Sequence, residues 1–482
     1  MKLERTTTGV IIHQPSTEIK RVVLKYFSLT NPVREYFIYS GNDRSKKPLF
    51  GKEHDVIYIS SGFLKINNDI IRRLPKPSVI NYQTPKKVEI TMNREPRSPL
   101  QRDCIDKMLH NTSDKLTIEL KPGTGKTFIA TYATSKLQLK PLVIAPTTLL
   151  KNQWVEEFEG CGVPREDIAT KIWDAPNKKV CVVTVSSIEL ELGKDWEKLM
   201  KVINDSSFGI KIIDEAHLHL KGVLKLDAIC NIKHNWYLSA TLGRSDIEED
   251  NILNRSLLDA ERFIGNPVYE EYQKEYVHVY EQDIYYYPSN RLCEQHFKYG
   301  VKGLIKPTYY RMLMDYKMGY PFMNNIKHMV RVAYSTKTYD GKILVLVPLL
   351  DVIERVKNEM LKDAWFERFN IVTVDGSMPL PVKRRALEEG DLILTTTMSV
   401  GTGTDIKNLA CVINFDQMSS SILTEQIAGR LRDRGKECWY FDIADHVKQA
   451  RTFENWGRKR RMLLPYFPGI IPDLKRLPDI HC

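Results

Sequence analysis

The chain contains no run of about 18 apolar residues, so no transmembrane helix is expected. Its opening, Met1-Lys2-Leu3-Glu4-Arg5, leads into Thr and Gly rather than an apolar segment, so no signal peptide is read. The eight cysteines are scattered and form no CxxC pair. That argues against a zinc site and for a reducing compartment, with cytoplasmic localisation the expectation. No internal repeat and no low-complexity tract is evident, which excludes solenoid architectures.

What is present is a basic, globular composition. At 482 residues, length suggests roughly three domains. An apolar share of 42% is ample for packed cores. The net charge is +11, and within residues 1–94 Lys and Arg outnumber Asp and Glu more than twofold. A basic balance suits a polyanionic partner, most often nucleic acid. A solvated basic surface with no such partner is the alternative that composition leaves open.

Residues 1–95 read as a small α+β unit with strands at 9–13, 22–28, 35–39 and 55–59, and with turns at Asn31-Pro32 and Gly41-Asn42-Asp43. Its Lys and Arg residues suggest a DNA-binding domain. A stretch dotted with Pro75, Pro77, Pro85, Pro96 and Pro99 connects it to the remainder of the chain. Residues 96–250 alternate strand and helix, with strands at 116–120, 141–145, 179–185, 209–213 and 236–239. A second series, within 251–470, has strands at 342–347, 370–374, 392–395, 411–415 and 437–441. Alternating β and α predicts α/β lobes built on parallel sheets, with sites at the carboxyl ends of strands. The Tyr-rich segment 251–335 is expected to hold the crossover and helices docked on the second lobe. A helix with apolar positions Val447, Ala450, Phe453 and Trp456 ends in Arg458-Lys459-Arg460-Arg461, and 471–482 form a tail. That basic cluster suits either DNA contact or a helix end favoured by the dipole.

Two motifs carry the chemistry. Lys121-Pro122-Gly123-Thr124-Gly125-Lys126-Thr127 lies between a strand and a helix. Backbone N–H groups of Gly123, Thr124 and Gly125 suit phosphate oxygens, and Lys126 adds a point charge at the β/γ end. Leu120 stands where the general G-x-x-x-x-G-K-[ST] pattern has its first Gly. Downstream, Asp214-Glu215-Ala216-His217 ends the apolar strand 210–213. Thr127 and Asp214 are placed to hold Mg²⁺, and Glu215 to orient or deprotonate an attacking water. Together these residues predict ATP hydrolysis with ATP and Mg²⁺ as cofactors. Either motif alone would pass for a Gly-rich turn or an incidental acidic strand end.

Three further loops follow strands. Ser239-Ala240-Thr241 reads, with His217, as a coupling element beside the carboxylates; alone, it would be a common turn. Thr395-Thr396-Thr397-Met398-Ser399-Val400-Gly401-Thr402-Gly403-Thr404-Asp405 is rich in hydroxyl and Gly. Thr396 and Thr397 suit a nucleic-acid backbone, while Gly403 and Asp405 suit the nucleotide, Asp405 through a ribose hydroxyl. A solvated connection is the bland alternative. Gln426-Ile427-Ala428-Gly429-Arg430-Leu431-Arg432-Asp433-Arg434 offers Arg430 as an arginine finger, an assignment that competes with a plain basic helix face.

Taken in this order, the motifs resemble those of a superfamily 2 helicase with a DEAH-type box, over roughly residues 96–445. The resemblance implies two tandem RecA-like lobes with ATP between them and nucleic acid across their top. It assigns Gln101 to adenine recognition. Pro146, Thr147, Thr184 and Ser186 fall in loops that resemble the first lobe's backbone grip, and Val374-Asp375-Gly376-Ser377 resembles a motif near the nucleic acid in the second. Leu150-Lys151-Asn152-Gln153-Trp154 resembles the DNA-translocase branch. The family's last motif usually reads QxxGRxxR. Gln426 and Arg430 match it, but Asp433 stands at its final position, and Arg432 is preferred to Arg434 as the second finger.

Within the superfamily the chain is most similar to small phage branch-migration DNA helicases of the UvsW type, including a weak similarity of residues 57–64. A phage origin would make the compartment a bacterial host's cytoplasm. The expectation is an ATP-dependent DNA helicase or translocase that remodels forks and junctions in replication or recombination. It would act on branched or duplex DNA, with single strands possible partners, no membrane, and a monomeric state with oligomers left open. The alternatives are an RNA helicase, a nucleic-acid-activated ATPase in transcript release, a binding factor switched by ATP, and the motor subunit of a restriction system. The short interval between Asp405 and Gln426 leaves no room for a long strand-separating hairpin.

Overall fold

The computed structural model describes residues 2–14, 16–17, 38–39, 56–62, 78–79, 84–243, 247–273, 275–286, 299–300, 303–304, 306–315, 319–335, 341–400, 406–418, 420–447, 451–467, 470, 475–477 and 480–481. These residues divide into two compact units, Met1–Tyr269 and Glu270–Cys482. No helix among them is long and apolar enough to cross a membrane.

The first unit is built on a parallel sheet in the order Glu261–Ile264, Lys115–Glu119, His234–Ser239, Ile210–Ile213, Pro141–Ala145, Val180–Thr184 and Ile168–Ala169. Its central strands are buried on both faces, which is why Pro141–Ala145 and Val180–Thr184 read as nearly continuous apolar runs rather than alternating ones. Helices Pro99–His110, Lys126–Leu137, Thr148–Gly160 and Leu220–Ile229 lie in the connections. Because Glu261–Ile264 pairs with Lys115–Glu119, the start of the segment expected in the second lobe from residue 251 belongs to this first sheet.

The N-terminal strands Lys2–Arg5, Gly9–His13 and Val56–Ser60 pair antiparallel, with Ile38–Tyr39 and Ser78–Val79 at the sheet's edges. The expected strand at 22–28 lies outside the described residues. Leu3, Val10, Ile12, Tyr58 and Ile59 share one hydrophobic core with Leu220, Val223, Leu224 and Leu253, so this small sheet packs directly on the larger lobe. Two buried lysines reinforce the seam. Lys115 Nζ lies 3.1 Å from Ser60 Oγ and 3.0 Å from Asp259 Oδ1. Lys211 Nζ donates to Asp227 Oδ1 at 2.6 Å, and the Asp227 carbonyl accepts from Thr8 Oγ1 at 2.7 Å. A charge so fully removed from water persists only because it is paired and hydrogen-bonded.

The second unit repeats the parallel plan in the order Ile371–Val374, Leu392–Thr395, Lys342–Leu346, Leu409–Asn414, Cys438–Val447, Val277–Tyr286 and Lys475–Arg476, with Ile480–His481 also beside Val277–Tyr286. The long strand Val277–Tyr286 pairs along its whole length with Cys438–Val447. Stacked rings fix that pairing: Tyr280 on Phe441 at 5.1 Å and Tyr285 on His446 at 4.7 Å between centroids. As expected of the Tyr-rich segment, helices Lys306–Asp315 and Gly319–Ser335 dock on this lobe through Tyr309, Tyr310, Phe322 and Ile326.

Burial pushes the Asp445 carboxyl in this core up to about 7. Its Oδ2 accepts from Tyr310 Oη at 2.9 Å, while Oδ1 has no partner among the described residues. The folded chain therefore keeps a proton that the unfolded chain releases near its ordinary pKa of 3.8. By linkage, stability declines as pH rises between those two values. Asp445→Asn, neutral throughout, is expected to match the wild type below about pH 4 and to gain a higher melting temperature than it by pH 8. A difference that does not change with pH in thermal melts would exclude a protonated Asp445.

Candidate nucleotide site

The phosphate loop leaves its strand at Leu120 and enters the helix Lys126–Leu137. Gly123 and Gly125 have φ of 86° and 88°, in the left-handed region where a Cβ is disfavoured. A Cβ on Gly125 would also come within 2.8 Å of Gln101 Nε2. Gln101 is buried and holds the loop directly: Nε2 donates to Thr124 O at 2.8 Å, and Oε1 accepts from Arg97 N at 3.0 Å. Arg97 adds a bond to Gly123 O at 3.0 Å. Leu120, in the place of the usual first Gly, is fully buried, and its carbonyl accepts from Lys126 Nζ at 3.0 Å. Thr127 stands in the first turn of the helix, whose free N–H groups favour anions.

Parallel pairing brings the carboxylates to the same end of the sheet. Asp214 N donates to Ile144 O at 3.0 Å, and Ala216 N to Leu238 O at 3.0 Å, continuing the pairing of Ile210–Ile213 with its neighbours. Lys126 Nζ lies 3.9 Å from Glu215 Oε1. Glu215 has φ at +46°, an uncommon conformation for a residue with a side chain and one concentrated at functional sites. His217 Nδ1 is 2.7 Å from Ser239 Oγ and 3.4 Å from Glu215 Oε2. Thr241 N donates to Ser239 Oγ at 3.1 Å, and Ser239 Oγ bonds back to Thr241 O. The three residues expected to couple are thus linked to one another and, through His217, to Glu215.

Burial, reinforced by the neighbouring Glu215 charge, raises the Asp214 carboxyl to about 6. Two adjacent carboxylates with one lysine beside them leave negative charge that a divalent cation would balance. The Gly-lined loop, the helix N-terminus and this carboxylate pair fit a magnesium nucleotide. Loop amides and Lys126 would hold phosphates; Thr127 and Asp214 would hold the metal.

The residues of the first unit expected to grip a nucleic-acid backbone have local roles in the fold. Thr147 caps the helix Thr148–Gly160 by accepting from Leu150 N at 3.3 Å. Thr184 caps Val185–Lys194 by accepting from Ser187 N at 3.2 Å, with Ser186 Oγ 3.4 Å away. Pro146 comes directly after the strand Pro141–Ala145. In the second unit Thr396 Oγ1 is 2.8 Å from Ser399 Oγ, and Lys383 Nζ bonds to Ser399 O. Thr397 is buried, and its hydroxyl has no partner among the described residues. Gln426 lies in the helix Ser421–Ala428, and Arg430 comes after it, close enough to Lys383 to help lower that ammonium's pKa, chiefly depressed by burial. Arg432 is exposed, and Asp433 Oδ1 accepts from Gly435 N at 2.8 Å, closing a turn. Gly403 and Asp405 lie outside the described residues.

Two contributors to the site escape the motif reading. Arg97 is one; its proximity to Gln101 along the chain is the available signal. The other is Trp154, which the sequence marks only as part of a longer motif. Its Nε1 donates to Asp214 Oδ2 at 2.9 Å. In the basic cluster, Arg460 and Arg461 are tied to Asp442, and Arg461 also to Asp283, so both serve the fold rather than a surface.

Two family models match in chain order. Type III restriction enzyme, res subunit, matches residues 95–244, and helicase conserved C-terminal domain matches residues 324–434. The chain is a superfamily 2 helicase. Such an enzyme is an ATP-dependent hydrolase, which agrees with the motif order. Among curated relatives, a putative DNA 3'-5' helicase Rad25 of Halobacterium salinarum is 28% identical over 155 residues, covering 32% of this helicase and 25% of that protein. The chain thus spans about a quarter of the length of the curated relatives it matches. Saccharomyces cerevisiae Dbp5 bound to RNA and ADP BeF3 shares the fold, with a TM-score of 0.50 at 16% identity over 79% of this chain and 90% of that one. The crystal structure of T4 UvsW aligns with 99% of this chain and 100% of that one at 16% identity, with a TM-score of 0.35.

Proposed function

We propose that this helicase is a DEAH-type, ATP-driven DNA translocase that remodels branched DNA, moving junctions and regressing forks. The observation that carries the motor half is the convergence of Lys126, Asp214, Glu215 and His217 at one end of the first sheet. A magnesium ion held by Thr127 and Asp214 would neutralise phosphate charge. Lys126 binds the phosphates, Glu215 orients and deprotonates the attacking water, and Gln426 and Arg430 respond to the γ-phosphate. Arg432 is the second finger in this assignment. His217, Ser239 and Thr241 pass the nucleotide state onward through the hydrogen bonds they share.

DNA as partner is supported by the basic charge and by the similarity to a protein named as a DNA 3'-5' helicase. Branch movement, rather than wedge-driven unwinding, is supported by the interval before Gln426. The strand Leu409–Asn414 and the start of the helix Ser421–Ala428 occupy most of it, leaving only a short connection. Residues 1–95 are proposed to hold a duplex arm, and Pro146, Thr147, Thr184, Ser186, Thr396 and Thr397 to contact the phosphate backbone. The test is conversion of a labelled replication-fork substrate into a regressed product with ATP and Mg²⁺, with Lys126→Ala as control. ATP-dependent conversion that Lys126→Ala abolishes is expected. No conversion, together with full ATPase activity, would refute branch movement.

A further inference from the structure

We propose that Trp154 is a positioning residue that orients the metal-holding carboxylate and links it to the helix beginning at the proposed DNA-gripping loop. The inference rests on Asp214 being the magnesium ligand. Asp214 is buried and has a separate donor on each oxygen. Glu215 N donates to Oδ1 at 3.0 Å, and Trp154 Nε1 donates to Oδ2 at 2.9 Å. An indole N–H can only donate, so it supports the ionised carboxylate and fixes the plane in which the remaining lone pairs point. The Trp154 side chain is wholly buried, as is that of Phe158 one turn further on, so the indole has no solvent route to another partner.

The position of Trp154 in the chain supplies the link. It lies about two turns into the helix Thr148–Gly160, whose N-cap is Thr147. The helix runs unbroken between these points. A contact that seats the Thr147 end on a phosphate backbone therefore seats the indole with it, and holds the donor against Oδ2. Reciprocity then requires that magnesium nucleotide and DNA strengthen each other's binding through this bond.

Trp154→Phe keeps an aromatic ring and removes the donor. Binding of a non-hydrolysable ATP analogue, titrated against Mg²⁺ by calorimetry, is expected to need about tenfold more Mg²⁺ for half-saturation, in line with losses seen when a ligand's supporting hydrogen bond is removed. Enhancement of analogue binding by duplex DNA should fall toward none. Trp154→His, which retains an N–H, should recover part of both effects. Unchanged Mg²⁺ dependence in folded Trp154→Phe would overturn the proposal, as would equal losses in the two variants, which would mean ring volume matters and the donor does not. Should Trp154→Phe not fold, the indole ¹⁵N–¹H resonance of Trp154 in the intact chain decides: a shift on adding analogue with Mg²⁺, and a further one with DNA, supports it, and no shift overturns it. Lys126→Ala separates the two levels. If that variant still binds the analogue, the nucleotide site itself is misread; if it loses binding while Trp154→Phe behaves as wild type, only the role of Trp154 fails.

Discussion

Glu215→Gln is expected to bind ATP with Mg²⁺ and to hydrolyse it about 10²- to 10⁴-fold more slowly, the range that loss of a positioned general base produces. The amide preserves the size of the side chain and its hydrogen-bonding capacity but cannot accept the water's proton. Binding is expected to survive because the groups proposed to hold phosphates are elsewhere: Lys126, the loop fixed by Gln101, and the helix N-terminus. Removing the charge beside Asp214 also relieves one of the two causes that raise that carboxyl, so Asp214, the proposed metal ligand, becomes easier to ionise. Single-turnover hydrolysis measured alongside nucleotide affinity separates the two effects. Normal turnover would reject Glu215 as the base, and lost binding would give it a role in holding the nucleotide instead.

Arg460→Ala is expected to destabilise the second unit by about 3–5 kcal/mol, the cost of leaving a buried charge without its partner. Arg460 and Asp442 are both essentially inaccessible. Nε donates to Asp442 Oδ1 at 2.9 Å, and Nη1 donates to Met418 O at 3.0 Å. Arg458, two residues earlier on the same helix, pairs with Glu454 in solvent, where such pairs contribute about 0.5 kcal/mol or less. Denaturant unfolding followed by a probe in the second unit should therefore separate Arg460→Ala from Arg458→Ala. Equal, small effects would show that the ionic cluster does not hold this lobe together.

That contrast marks where sequence stops being informative. Four adjacent basic residues look alike in one dimension. Which of them turns inward depends on Asp442 in the strand Cys438–Val447 and Asp283 in Val277–Tyr286, both brought near by tertiary packing. The same limit hides Val277–Tyr286 itself: its Tyr, Glu, Gln and Asp residues break the apolar run by which the other buried strands are recognised. The core strands Pro141–Ala145 and Val180–Thr184 are legible because burial on both faces leaves a nearly unmixed apolar signature. The Lys126 and Asp214–Glu215 motifs are legible because phosphate and metal chemistry constrains residue type and order. Trp154 is not, since a hydrogen bond between a helix and a distant strand end leaves no local pattern. Nor does the basic N-terminal segment announce that Leu3, Val10, Ile12 and Ile59 join the first lobe's core.

The central claim, that ATP hydrolysis here serves branched DNA, is tested most directly by the ATPase rate with four nucleic acids at matched nucleotide concentration. These are a four-way DNA junction, linear duplex DNA, single-stranded DNA and single-stranded RNA, at one fixed salt concentration because phosphate-driven binding depends on it. The account predicts the largest stimulation by the junction or the duplex. Stimulation chiefly by RNA would contradict it, leaving the nucleotide site in place and assigning the motor to RNA.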